Sequence, residues 1–181
     1  DDRTYIGNPT PDLEYGFNLT AEYKKFDLNL FFNGVAGNEI LNGTKYRGYF
    51  DLEGNYFADA LNAWSPTNTS TNIPKNTRAD LGFNRRMSTF YLEPGDYFRL
   101  RNAQLGYSFS DALLEKMKIK KMRLYVSATN LFTITNYTGY YPEVGRNSRG
   151  ASGNNSIFNS GVDEGTYPTP RVFRLGLQVS F

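Results

Sequence analysis

The fold is decided by residues 15–33, YGFNLTAEYKKFDLNLFFN, in which apolar and polar side chains alternate with a period of two. Such alternation predicts β-strands that are apolar on one face and polar on the other. Only Lys24 and Lys25 separate the two alternating halves, and strands joined by so short a turn form an antiparallel hairpin. The stretch therefore predicts an all-β, antiparallel fold.

Three more segments repeat the pattern, so that five strands are predicted at about residues 14–23, 26–35, 97–109, 121–132 and 171–181. Each has roughly 9–13 residues, the length of a tilted strand that crosses a bilayer, whereas the mean soluble strand has about half as many. We therefore predict that one face of these strands meets lipid. The predicted lipid-facing residues are Phe17, Leu19, Leu28, Leu30, Leu105, Tyr107, Leu124, Val126, Leu175, Leu177 and Val179.

The alternate positions carry polar side chains, which suit the wet interior of a large transmembrane β-barrel. The predicted lumen-facing residues are Asn18, Thr20, Glu22, Asp27, Asn29, Asn33, Asn102, Gln104, Arg123, Thr129, Arg174 and Gln178. They either bond to a plug inside the barrel or simply wet its wall. A soluble β-sandwich is the alternative fold, because the strands of a sandwich alternate in the same way.

The connections between the strands differ in length in a way that orients them. Those at 24–25 and 110–121 are short, and the second contains one or two predicted helical turns at 111–117 with Ser110 as the N-cap. Those at 36–96 and 133–170 are long. Outer-membrane barrels have short periplasmic turns and long extracellular loops, so the first, third and fifth strands are predicted to descend toward the periplasm.

The composition argues against several classes of protein. The sequence has no cysteine and no histidine, which removes disulfides, thiolate nucleophiles and the most frequent general base. We predict that the chain is no enzyme and has no catalytic residue, cofactor or metal site; Asp163 and Glu164 are a weak candidate for a cation. A formal charge of +2, with scattered basic residues, argues against a nucleic-acid partner.

The number of strands predicts that the sheet continues beyond this chain. Single-chain barrels have at least about eight strands, so five cannot close one. An open sheet in lipid would leave backbone groups without hydrogen bonds at both edges. We therefore expect pairing with the remainder of the same barrel, from a missing N-terminal part or from a neighbour.

Several stretches, in order along nearly the whole chain, form a recognisable set of motifs. They are GNPTPDLEYGFN (7–18), FDLNLFFNGVAG (26–37), WSPTN with IP (64–68 and 73–74), DYFRLRNAQLGY (96–107), LYVSATNLFTIT with YTGY and PE (124–135, 137–140 and 142–143) and YPTPR (167–171). Each match is modest alone, and together they are specific: the set resembles the C-terminal region of TonB-dependent transporters of the SusC/RagA family.

The resemblance implies that residues 1–181 are the last five strands of a barrel of about 22 strands. The family imports oligosaccharides, and in some cases peptides, through the outer membrane of Gram-negative bacteria of the Bacteroidota type. A SusD-like lipoprotein serves as the extracellular lid, and TonB acts on the plug. The implied partners are therefore the plug, this lipoprotein, the TonB complex, outer-membrane lipid and lipopolysaccharide. A structural or adhesive barrel that displays its loops is the alternative function.

Four aromatic residues of the long loops are the predicted substrate-binding residues: Trp64, Tyr137, Tyr140 and Tyr141. Sugar rings stack on aromatic faces, and Tyr or Trp adds a polar group that can bind a hydroxyl. Packing of the loops, or a place in the aromatic girdle of the barrel, is the other interpretation.

Three further positions carry expectations of their own. Arg99 and Arg101 lie on the lipid face if the third strand keeps its phase, within reach of lipopolysaccharide phosphates, and on the lumen face if a β-bulge turns them. Phe181 resembles the C-terminal signal that the barrel-assembly machinery reads. We expect its deletion to lower outer-membrane insertion of the full protein, and normal insertion of the deletion variant would contradict this.

Overall fold

A computed structural model describes residues 4–50, 54–75, 77, 83–144 and 160–181. The chain divides into two compact units. The strand unit consists of Pro11–Gly37, Asp96–Asn136 and Pro168–Phe181, and the loop unit contains the remaining residues. The elements in chain order are β1 (Leu13–Tyr23), β2 (Phe26–Ala36), β3 (Glu39–Asn42), α1 (Gly43–Phe50), β4 (Leu92–Pro94), β5 (Tyr97–Ser108), α2 (Asp111–Met117), β6 (Lys121–Thr135), β7 (Val162–Asp163) and β8 (Val172–Ser180), with 3₁₀ turns at Ala58–Asn62 and Thr89–Tyr91.

The strand unit is one antiparallel sheet of five strands in the order β1-β2-β5-β6-β8. This confirms the predicted antiparallel, all-β fold class. The strands overlap the five predicted ranges, and β6 continues to Thr135, beyond its predicted end at 132. Helix α2 occupies the predicted residues, although its N-cap, Ser110, makes no side-chain capping bond. Each edge strand, β1 and β8, has a single partner in the described sheet.

The register places the apolar side chains of neighbouring strands on one face of the sheet. Leu28 pairs with Leu105, Leu105 with Val126, and Val126 with Leu175. All the residues predicted to face lipid lie on this face, and all those predicted to face the lumen lie on the other. The apolar face is open: Phe17 is 49% exposed and Leu175 is 72% exposed. Contact with lipid stays a prediction, which this exposure supports.

A β-bulge at Arg101 interrupts the alternation of β5. The pairing with β2 and β6 skips this residue: Leu100 and Asn102 pair with the adjacent Phe32 and Phe31 of β2, and with Phe132 and Thr129 of β6. The extra residue moves Arg99 to the polar face, where it is 1% exposed, while Arg101 itself stays exposed. Opposite the bulge, Asn130 of β6 has a left-handed φ of 54°. Of the two alternatives that the sequence left open, the bulge is therefore the one observed for Arg99.

Gly34 of β2 sits where the backbone leaves no room for a side chain. A Cβ at this position would collide with the carbonyl oxygen of Tyr97 and with the ring of Tyr15. Because a backbone oxygen cannot swing aside, we expect Gly34→Ala to lower the free energy of unfolding of the full-length barrel by about 1–3 kcal/mol. Thermal unfolding followed by gel mobility measures this loss.

Gly16 of β1 provides the matched control. Its nearest atoms, the Phe32 carbonyl oxygen at 3.4 Å and the Phe31 ring at 3.5 Å, are at ordinary contact distance from a Cβ. Gly16→Ala should therefore leave the stability within about 0.5 kcal/mol of the wild-type value. Equal losses in the two variants would contradict the steric argument.

The loop unit contains a second, small sheet of three strands in the order β4-β3-β7. Strand β3 pairs antiparallel with β4 and parallel with β7. Its aromatic core consists of Tyr49, Phe50 and Tyr91, with Phe90 packed against them at ring-centroid distances of 5.1–6.4 Å. These elements lie in the ranges 36–96 and 133–170, which were predicted only as long loops. Part of those ranges, residues 51–53, 76, 78–82 and 145–159, lies outside the described residues.

Neither helix of the described chain has the length and apolar character that crossing a bilayer requires.

Candidate functional site

An ion pair crosses the polar face of the strand unit. Arg123 of β6 forms it with Asp27 of β2, its Nε donating to Asp27 Oδ1 at 2.8 Å. Arg123 Nη1 also donates to Gln178 Oε1 of β8, at 3.2 Å. Gly106 of β5 makes room for the pair, because a Cβ there would meet both charged groups. Three of the predicted lumen-facing residues are thus joined across four strands.

The polar face also holds a hollow of about 400 Å³. Six predicted lumen-facing residues line it: Thr20, Glu22, Asp27, Asn29, Asn102 and Gln104. Their carboxylates, amides and hydroxyl can both donate and accept hydrogen bonds, which suits a polar protein surface or ordered water. Whether they meet a plug stays a prediction.

Arg99 belongs to this polar face, although its role could not be assigned from the sequence. Its Nε donates to Thr133 Oγ1 at 2.9 Å, and its guanidinium lies 4.7 Å from the centre of the Tyr97 ring. Because the side chain is almost completely buried, it links β5 to β6 rather than reaching toward the outer surface.

In the loop unit, a buried carboxylate holds three segments of the chain together. Glu93 of β4 is 7% exposed and accepts hydrogen bonds from the Thr138 amide at 2.9 Å and the Thr138 hydroxyl at 2.7 Å. Lys45 of α1 places its Nζ 3.3 Å from Glu93 Oε1. Burial alone raises the pKa of the Glu93 carboxyl, but the Thr138 hydrogen bonds and the Lys45 charge outweigh it and hold that pKa below its usual value.

Asn42 at the end of β3 extends this cluster. It is 2% exposed, its Nδ2 donates to Thr138 Oγ1 at 3.3 Å, and its Oδ1 accepts from the Lys45 amide at 2.9 Å and the Thr44 hydroxyl at 2.6 Å. The Asn42 side chain therefore caps the start of α1 and ties that helix to the segment after β6.

A second buried carboxylate, Asp163 of β7, fixes the neighbouring loop. Asp163 is 0% exposed; its Oδ2 accepts from the Tyr137 hydroxyl at 2.6 Å, and its Oδ1 accepts from the amides of Gly165 at 2.9 Å and Thr166 at 2.7 Å. Burial, and then the bond to Asp163, raise the pKa of the Tyr137 phenol far above its usual value. The phenol therefore stays a neutral donor at all ordinary pH values.

The four predicted substrate-binding aromatics do not form one surface. Tyr137 is 5% exposed and packs inside the loop unit, which gives it the structural role that was the alternative interpretation. Tyr141 is half-buried and donates its hydroxyl to Glu143 at 2.8 Å. Tyr140 is 71% exposed and Trp64 is 41% exposed, so these two retain ring surface for a ligand.

The predicted weak cation candidate, Asp163 with Glu164, has its buried carboxylate already occupied by three donors. Among the residues that the structure describes, no group of three acidic side chains is arranged to hold a metal ion. Sequence reasoning missed Glu93 and Asn42, and it considered Asp163 only as a cation ligand. Each is an ordinary polar residue in a predicted loop, and each bonds to a partner far away in the sequence: Thr138 for Glu93 and Asn42, and Tyr137 for Asp163.

The sheet has long antiparallel strands, one open apolar face and one polar face, and its edge strands β1 and β8 each have one partner among the described residues. This arrangement is typical of a piece of the wall of a membrane-spanning β-barrel. No protein-family model matches the chain. The TonB-dependent receptor P3 of Formosa agariphila is 42% identical over 99% of this chain. The TonB-dependent receptor SusC of Bacteroides thetaiotaomicron is 27% identical over 99% of it. The chain spans only 17% and 16% of the length of these relatives.

Solved structures agree with the sequence relatives. The RagAB peptide importer in its closed-closed state superposes with a TM-score of 0.77 at 29% identity, over 96% of this chain and 18% of that chain. The 181 residues belong to the SusC/RagA family of TonB-dependent outer-membrane transporters and correspond to a segment of such a protein.

Proposed function

We propose that the whole protein imports an oligomeric nutrient, a glycan or a peptide, across the outer membrane. TonB supplies the force, and a SusD-like surface lipoprotein covers the extracellular side. The observation that carries the proposal is that the sheet and the loop unit together resemble a peptide importer over nearly all of this chain. The open edges of β1 and β8 support it, because they require further strands to complete a barrel.

The loop unit has the properties that a seat for a lipoprotein lid needs. Its two buried carboxylates and its aromatic core hold β3, β4 and β7 in one fixed arrangement. A rigid scaffold of this kind presents exposed loop residues in defined positions, so that a partner or ligand binds without ordering them first. We assign contact with the lid, and with substrate in the outer cavity, to this unit.

Growth of a strain that lacks the gene tests the import proposal. We expect the strain to lose growth on one class of oligosaccharides or peptides and to keep growth on the corresponding monomers. The full-length gene should restore growth only in cells with a working TonB complex. Unchanged growth on every oligomer, together with loss of cell-surface adhesion, would contradict import and favour the displayed, adhesive barrel.

Tyr140 is the residue on which we expect substrate binding to depend most. With the nutrient class identified by growth, Tyr140→Ala in the purified full-length protein should weaken binding by about 5–10-fold, because one stacking contact is lost. Tyr167 is a matched control, since it is 88% exposed and lies in the same unit. Tyr167→Ala should leave the affinity unchanged, and equal losses in the two variants would contradict a specific role for Tyr140. Isothermal titration calorimetry gives both affinities.

A further inference from the structure

The lysines of this chain, unlike its arginines, are unevenly placed. Six of its eight lysines lie in two short stretches of the strand unit, residues 24–25 and 110–121, which contain only two acidic residues, Asp111 and Glu115. All six lysines are exposed, and within the described part of the chain none forms an ion pair. They are Lys24, Lys25, Lys116, Lys118, Lys120 and Lys121, which we call the lysine rim.

Backbone hydrogen bonds place the lysine rim at a single end of the sheet. The Ser108 amide donates to the Lys25 carbonyl at 2.8 Å, which joins the β1–β2 turn to the end of β5. The Lys120 amide donates to the Ser180 carbonyl at 2.9 Å, which joins the β5–β6 connection to the end of β8. The positive charges therefore extend along the ends of all five strands.

Aromatic side chains of the apolar face border this rim. Tyr107 packs against Phe26 and Phe109, with ring centres 4.9 and 5.2 Å apart. Lys24 holds its Nζ 5.2 Å from the centre of the Tyr23 ring. Aromatic rings with lysines directly beyond them are the arrangement expected at the level of lipid headgroups, where the ring meets the acyl boundary and the ammonium reaches the phosphate.

A cavity of about 550 Å³ lies at the same end, between α2 and the ends of β6 and β8. Its charged lining is Lys120, Lys121, Arg123 and one carboxylate, Asp111, and its apolar lining is Phe109, Leu114, Met122 and Val179. It thus offers a net excess of cationic groups beside apolar surface. An amphipathic anion matches both, whereas a purely polar anion such as a peptidoglycan strand or an acidic protein loop matches only the charges.

We propose that the lysine rim binds anionic phospholipid headgroups of the periplasmic leaflet and so fixes the depth of this part of the barrel in the membrane. The location in that leaflet rests on the predicted strand directions, which are part of the import proposal. The lysines supply the charge complementarity, and the aromatics with the cavity supply the apolar contact.

The test is lipid retention by the purified full-length protein, measured by native mass spectrometry. Phosphatidylglycerol and phosphatidylcholine are added in equimolar amounts. Wild-type protein should retain phosphatidylglycerol at least about fivefold better, since even one basic residue near an anionic surface contributes that much. A variant with all six lysines changed to glutamine should lose this preference, and one with all six changed to arginine should keep it.

Salt provides a measurement that needs no variant, because raising the ionic strength should remove the wild-type preference as charges become screened. If the glutamine variant does not insert, Lys24→Gln with Lys25→Gln should still lower the preference. Equal retention in the wild-type and glutamine proteins would overturn the proposal, as would tighter lysine-dependent binding of lipopolysaccharide or peptidoglycan than of phosphatidylglycerol. If the protein kept its lipid preference but had no import activity, the import proposal would be refuted and the lipid proposal would stand.

Discussion

Replacing Asp163 with alanine is expected to lower the free energy of opening the loop unit by about 4 kcal/mol. The carboxylate is 0% exposed and accepts from the Tyr137 hydroxyl and from the amides of Gly165 and Thr166. Without it, the buried Tyr137 hydroxyl and two partly buried amides lose their acceptor, and each unmade bond costs about 1–3 kcal/mol. Hydrogen exchange of the amides of residues 160–166 in the full-length protein measures the loss.

Glu164, the residue next to Asp163, shows whether the expected loss comes from burial of the carboxylate or only from removal of its charge. Glu164 is an exposed carboxylate one position along the chain, so Glu164→Ala should change the opening free energy by less than about 0.5 kcal/mol. Tyr137→Phe removes a single donor and leaves the two amide bonds of Asp163 in place, so its cost should fall between the two. Similar losses for Asp163→Ala and Glu164→Ala would show that the buried carboxylate is not what holds this loop.

The second large effect is expected for Glu93→Ala, which should lower the free energy of opening the loop unit by about 3 kcal/mol. This change leaves the Lys45 ammonium, whose side chain is only 22% exposed, without its counterion, and leaves the Thr138 amide without its acceptor. Removing one partner of a buried pair costs about 3–5 kcal/mol, and the partial exposure of Lys45 reduces this. Exchange of the amides of residues 137–144 reports the change. Glu143→Ala, which removes an exposed carboxylate from the same segment, is the control and should cost less than about 1 kcal/mol.

The same residue gives the loop unit a pH dependence whose sign is fixed. Because the pKa of Glu93 in the folded protein lies below its ordinary value of 4.5, the folded state stabilises the charged carboxylate. Its contribution to stability is therefore present above that ordinary value and is lost as the pH falls through the lowered one. Protection of residues 137–144 should fall at acidic pH in the wild type and change less in Glu93→Ala. Equal pH profiles would contradict this role.

The strands could be predicted because their signal is local. A period of two is visible within any ten residues, and it also assigned the side chains to the correct faces of the sheet. The bulge has a signal as well: Phe98 and Leu100 share one parity, whereas Ala103, Leu105 and Tyr107 share the other, so the two apolar series change phase near Arg101. The sequence left two interpretations open at this point. Either the strand kept its phase and Arg99 and Arg101 both lay on the lipid face, or a bulge turned them to the lumen face.

The loop unit could not be predicted because its contacts are long-range. Asn42 bonds to Thr138 across 96 positions, and Glu93 bonds to the same residue across 45. A single sequence gives no sign that such residues meet. One local signal was available, because Tyr46, Tyr49 and Phe50 have the i, i+3, i+4 spacing of a helix face. In the structure these three residues lie on one face of α1, which packs against Phe90 and Tyr91.

The bulge at Arg101 also determines where the gene can change its length. Because the pairing with β2 already skips Arg101, loss of that one codon would give β5 simple alternation and leave Arg99 on the polar face. Loss or gain of a residue elsewhere in the strand would turn the side chains on one side of the change to the opposite face, so such changes should be selected against. The same event in a segment without strand pairing turns no side chain over. Length variation among descendants of this gene should therefore avoid the regular positions of β5 and collect at the bulge and outside the sheet.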